Sequence, residues 1–113
     1  MRMVLFLLLM LVAGVAKANE LIYGGWSSAA ITPDTRAVLL QALSTTNVCV
    51  SSIVSVKSQV VAGTNYEFRI NGCRGMRGGN CARSSCKSPR ALVVSVFDQP
   101  WTRTTRVVSV SEA

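Results

Sequence analysis

The 113-residue chain contains no histidine. That absence removes the imidazole base on which Ser-His-Asp and Cys-His nucleophile pairs depend, and it removes the histidine ligand common in metal sites. Acidic residues are scarce as well: five Asp and Glu stand against twelve Lys and Arg, and although a carboxylate pair stays open, the five are scattered and form no recognisable constellation. An enzyme is not expected, and neither is a cofactor or a metal. Aromatic residues make up 6% of the chain and do not interleave with the basic ones, which argues against a nucleic-acid surface. Beyond the first dozen residues no apolar run approaches the roughly 20 residues needed to cross a bilayer.

That first run has its own reading. Met1-Arg2-Met3 supplies positive charge, Val4 to Val12 is unbroken apolar sequence, and Ala16-Lys17-Ala18 is a small-x-small cleavage site. This is the order of a secretory signal peptide. We expect residues 1–18 to be removed and residues 19–113 to form one secreted, extracellular domain, free of the membrane after cleavage. Losing Arg2 and Lys17 leaves ten basic residues against five acidic ones, a net charge of +5. Most of the basic residues fall between Arg69 and Arg90, a stretch that reads as a solvated face.

Four cysteines remain, Cys49, Cys73, Cys81 and Cys86. An even count in a small exported domain reads as two disulfides. A zinc site is the rival, with Cys81-x4-Cys86 as its half, but histidine is lacking and export favours oxidation.

Thr32-Pro33-Asp34 reads as a helix start: a hydroxyl N-cap, a proline at the first helical position and an acid suited to the helix dipole. Val38, Leu39, Ala42 and Leu43 give a helical stripe of about three turns, ended by Thr45-Thr46-Asn47. From Val48 the period becomes two. Val48, Val50, Val54, Val56 and Val60 share one face, with Ile53 out of phase; Tyr66, Phe68 and Ile70 follow on the next strand. The two strands around Ala62-Gly63-Thr64 form a hairpin. A turn centred on Val61 sets Val54 against Phe68, Val56 against Tyr66 and Cys49 against Cys73; a slip of two residues would preserve the faces. That register predicts the disulfides Cys49–Cys73 and Cys81–Cys86, the second inside a loop running from Gly72 to Pro89. Strands Ala91 to Asp98 and Arg103 to Val110 form a second hairpin about Gln99-Pro100-Trp101. With a short N-terminal strand before the helix, the fold class is α+β, one helix across a four- to five-stranded antiparallel sheet.

At this point the chain resembles the cystatin superfamily. Gln59-Val60-Val61-Ala62-Gly63 matches that family's Gln-x-Val-x-Gly loop, Pro100-Trp101 its Pro-Trp pair, and Gly24 or Gly25 its N-terminal glycine. The cysteine layout is similar to that of the cystatin-like extracellular protease inhibitors of oomycetes. The resemblance implies a cystatin-like domain at 19–113 that reversibly inhibits papain-like cysteine proteases. Its N-terminal segment and two hairpin loops would form a wedge filling the active-site cleft.

The protease-binding residues it implies are Gly24, Gly25, Gln59, Val60, Val61, Ala62, Gly63, Pro100 and Trp101, in a protein expected to be a monomer. Apolar residues at a hairpin tip and a tryptophan suit that role. Their rival places are a buried strand end for the valines, the core for Trp101, and an ordinary flexible terminus for the glycines. One departure stands out: the stretch from Gly25 to Gln59 is about nine residues short of typical cystatins, roughly 2.5 helical turns. A shortened helix is expected to move the N-terminal segment relative to the hairpins. Two other functions are compatible with the sequence, a cystatin-fold binding module without inhibition and a cationic secreted defence peptide. The lack of a basic amphipathic helix disfavours the second.

Overall fold

The computed structural model describes residues 25–82 and 84–113; the expected signal peptide 1–18 and Gly24 lie outside the described residues. In chain order the elements are β1 (Trp26–Ala29), α1 (Pro33–Leu43), β2 (Val48–Val61), β3 (Gly63–Arg74), a two-residue β4 (Gly79–Asn80), β5 (Arg90–Gln99), a 3-10 turn (Pro100–Thr102) and β6 (Thr104–Glu112). Five strands form an antiparallel path in the order β1-β2-β3-β5-β6, and β4 adds a short sixth strand parallel to β2. The helix packs across this sheet, as the α+β reading expects.

The helix begins where its sequence says. Thr32 and Thr35 exchange hydrogen bonds in a capping box, each side-chain oxygen accepting from the other's backbone N–H, at 3.2 and 2.8 Å. Pro33 follows at the first helical position. Leu39, Ala42 and Leu43, spaced three and four apart, are fully buried. They meet Val48, Val50 and Val56 of β2, Phe68 and Ile70 of β3, and Leu92, Val94 and Val96 of β5. Each large side chain so buried contributes about 1.5–3 kcal/mol.

The first hairpin departs from simple parity in an instructive way. Its apex is Ala62, with Val61 opposite Gly63, so Val56 faces Phe68 and Ser58 faces Tyr66. The expected pairs Val54–Phe68 and Val56–Tyr66 are therefore each displaced by two residues, the slip that keeps the faces. The apex is set by Gly63, whose φ of +114° suits glycine alone. Further along, β2 skips one residue at Val54 and another at Ser51. These are β-bulges. The first turns Ile53 inward, half-buried against the core and opposite Ile70, and turns Val54 out to solvent, correcting its expected place beside Val56 on the core face; the second restores Val48 and Val50 to the core. A third bulge exposes Val108 in β6.

The expected disulfides are corrected. The bonds are Cys49–Cys81 and Cys73–Cys86. Cys49 and Cys73 do stand opposite one another, but the loop after β3 passes the end of the helix before it returns to β5. Met76 N–H donates to the Asn47 carbonyl at 3.1 Å, and Gly78 lies so close to the Leu43 and Thr46 carbonyls that a methyl there would overlap them. The chain then runs beside β2 as β4, and Cys81 N–H donates to the Val50 carbonyl at 2.9 Å. On the way back it is bonded first to β2 through Cys49, then to β3 through Cys73. The three-turn helix leaves room at its end, and this stapled loop fills it.

Candidate functional site

Strand register gathers the sequence-marked residues at one end of the sheet. Trp26 pairs with Gln59 on β1–β2, Val61 faces Gly63 across the first turn, and Thr64 pairs with Asp98 where β3 meets β5. Gln99 pairs with Thr104 at the base of the second turn. Gly25, the first turn and Pro100-Trp101-Thr102 therefore lie side by side along one edge.

The apolar side chains there are not in the core. Val60 is 47% exposed, Val61 43% and Trp101 69%. The buried strand end for the valines and the core place for Trp101 are both excluded by these values. Trp26, beside Gly25, is 48% exposed at the same edge. It joins the candidate site residues, although the motifs in the sequence do not single it out; its place next to Gly25 was the available signal. Apolar side chains exposed together at one edge of a small domain make that edge the candidate contact surface.

The fixed residues of the loop motif have structural tasks. Gln59 Oε1 accepts from Asn65 Nδ2 at 2.9 Å and ties the base of the turn. Gly63 is buried; a side chain there would meet the Asp98 carbonyl at 2.9 Å and the Phe97 ring at 3.0 Å. The missing side chain lets the first turn sit directly on β5. In the second turn, Arg103 takes a left-handed conformation, φ 54°, and its N–H donates to the Pro100 carbonyl at 2.9 Å. Gln99 Nε2 donates to the Ala62 carbonyl at 2.9 Å, joining the two turns. Sequence reasoning missed this residue, because the bond links positions 37 apart. At Trp26 the N-terminal segment is held by β1–β2 pairing, opposite Gln59.

The opposite end of the molecule carries the disulfides and the basic loop. Glu112 lies between Arg74 and Arg90, 3.7 and 3.8 Å away, all three largely exposed. The Cys49, Cys81 and Cys86 sulfurs lie within 4.8 Å of one another, but they are committed to disulfides and offer no thiolate to a metal.

One helix lying across a five-stranded antiparallel sheet, with the start of β1 and two hairpin turns gathered at one end, is the cystatin fold. Solved structures bear this out. A salivary cystatin of the soft tick Ornithodoros moubata superimposes with a TM-score of 0.62 at 20% identity, covering 81% of this chain and 99% of that one. Mialostatin, a gut cystatin of the hard tick Ixodes ricinus, gives 0.59 at 20% identity, covering 79% and 97%. No protein-family model matches the chain. In sequence the chain is similar to the cystatin-like cysteine protease inhibitor EPIC4 of Phytophthora infestans, 37% identical over 99 residues. The match covers 77% of this chain and 58% of that relative's length. The resemblance to the cystatin superfamily thus holds in both sequence and fold.

Proposed function

We propose that residues 19–113 form a secreted, reversible inhibitor of papain-like cysteine proteases that acts by occupying the active-site cleft. Gly24-Gly25, Val60-Val61-Ala62 and Trp101 make up the wedge, with Trp26 beside them. The observation that carries this reading is the convergence of exposed Val60, Val61 and Trp101 at one end of a cystatin fold whose other large apolar side chains are mostly internal. Docking removes that ridge from water, and the strands hold the turns in place beforehand, so little ordering entropy is spent. The protease thiol meets a closed turn, with no scissile bond offered to it. The relative's name, a cysteine protease inhibitor, supports the same activity. Two disulfides suit an oxidising, extracellular compartment, in keeping with the leader sequence at 1–18.

The deciding experiment is a titration of the mature protein against papain. Inhibition should compete with substrate and be reversed by dilution. Covalent capture of the thiol, or full protease activity at micromolar protein, would overturn the proposal and leave a cystatin-fold binding module without inhibition.

A further inference from the structure

The β3–β5 ladder ends at the Thr64–Asp98 pair, below both turns. Above it, the Gln99 carboxamide adds one more rung. Its Nε2 donates to the Ala62 carbonyl at 2.9 Å, at the apex of the first turn. Its Oε1 accepts from the Thr102 hydroxyl at 2.7 Å, within the second turn, and that hydroxyl lies 2.9 Å from the Thr104 hydroxyl. The amide is thus held by both ends, nitrogen toward one turn and oxygen toward the other. Directly beneath it, Gly63 lets the two backbones approach, and Thr105 donates to the Asp98 carboxylate at 2.6 Å.

We propose that Gln99 is a positioning residue that clasps the two hairpin turns into a single preformed ridge, so that Val60-Val61 and Trp101 meet the partner as one surface. This rests on the reading of that end as a protease wedge. Without the clasp each turn is ordered separately on binding, and that ordering opposes association. The polarity of the clasp matters: the Ala62 carbonyl can only accept, so whatever replaces the Gln99 nitrogen must donate.

Three proteins test it: wild type, Gln99→Ala and Gln99→Glu. Gln99→Ala should raise the papain inhibition constant about fivefold, the effect of one exposed hydrogen bond. Gln99→Glu should be at least as damaging near pH 7, because a carboxylate faces the carbonyl with no proton to give. As pH falls toward about 4.5 its carboxyl gains a proton. The Gln99→Glu penalty, taken relative to wild type at the same pH, should then shrink, while the Gln99→Ala penalty stays constant. Equal penalties at both pH values for the two variants would overturn the clasp as the source of affinity.

A second measurement needs no protease. In the free protein, NMR amide order parameters at residues 61–63 and 100–103 should fall together in Gln99→Ala. Unchanged order at both turns overturns the clasp even if papain is inhibited. Should the wild-type chain fail to inhibit papain, the proposed function fails, but a joint loss of order in Gln99→Ala still supports the clasp.

Discussion

Cys49 of β2 and Cys73 of β3 stand directly opposite one another, yet each is bonded to a different cysteine of the loop that follows. A bond between them would only have duplicated the hairpin's own ladder. The observed bonds instead fasten an apolar-poor loop to two strands in succession. That loop has little core of its own with which to offset its ordering entropy. It also packs on the end of the short helix, where Gly78 meets the last carbonyls. The disulfides therefore complete the fold at one end and leave the turns at the other end uncovered.

Peptide mapping under acidic, non-reducing conditions should recover the pairs Cys49–Cys81 and Cys73–Cys86. Replacing each pair by serines should destabilise the protein by about 2–5 kcal/mol. The Cys49–Cys81 bond closes a separation of 32 residues and the Cys73–Cys86 bond one of 13, so chain entropy makes the first more valuable by about 0.8 kcal/mol. Recovery of a Cys49–Cys73 fragment would mean that the loop does not take this path.

Most of the fold is legible in the sequence, because its signals are local and periodic. Thr32-Pro33-Asp34 marks the helix start, and alternation marks both hairpins. Ile53, out of phase with its neighbours, was the trace of two bulges, but a single misplaced residue does not say on which side of it the strand skips. The apex was misplaced by one residue because parity about Val61 and about Ala62 gives the same faces; only the left-handed Gly63 separates them. The disulfides were not legible, since they follow the path of a loop without periodicity. Within the site, Val60, Val61 and Trp101 announce themselves as apolar residues at turns. Gln99 does not, because its partner is a backbone carbonyl in another hairpin.

Gly63→Ala tests the contact between the first turn and β5. The substitution adds a methyl at φ +114° within 3 Å of the Asp98 carbonyl. Left-handed strain and the clash together should cost about 1–3 kcal/mol, read as a lower melting temperature. Gly75→Ala is the control: its φ is also positive, but an added methyl meets nothing within 4 Å, so only the backbone strain remains. Equal losses in the two variants would show that close packing on β5 contributes nothing.

Tyr66 predicts an alkaline limit to stability. Burial, aided by the Asp98 carboxylate, pushes its hydroxyl above the ordinary value of 10.0, outweighing a hydrogen bond with Thr64 that acts the other way. The folded state thus favours the protonated, neutral ring. Its contribution is fully present below about pH 10 and is lost as pH rises through the folded-state value. Thermal melts from pH 8 to 11 should show a steeper decline for wild type than for Tyr66→Phe. Parallel curves would remove Tyr66 from the pH dependence.

Val61→Asp and Trp101→Ala should separate binding from folding. Both side chains are substantially exposed in the free protein, so melting temperatures should stay close to wild type. In a complex, Val61→Asp would place an unpaired carboxylate at the desolvated centre of the contact, where nothing on this turn neutralises it. Its papain inhibition constant should rise at least about tenfold, equivalent to about 1.4 kcal/mol. Trp101→Ala removes the largest exposed apolar surface of the second turn and should follow in size. Trp26→Ala tests the arm that β1 holds beside the first turn; a loss larger than either would mean that the N-terminal segment, and not the hairpin pair, dominates the contact. Unchanged inhibition constants for both Val61→Asp and Trp101→Ala, with inhibition intact, would place the protease on another face altogether.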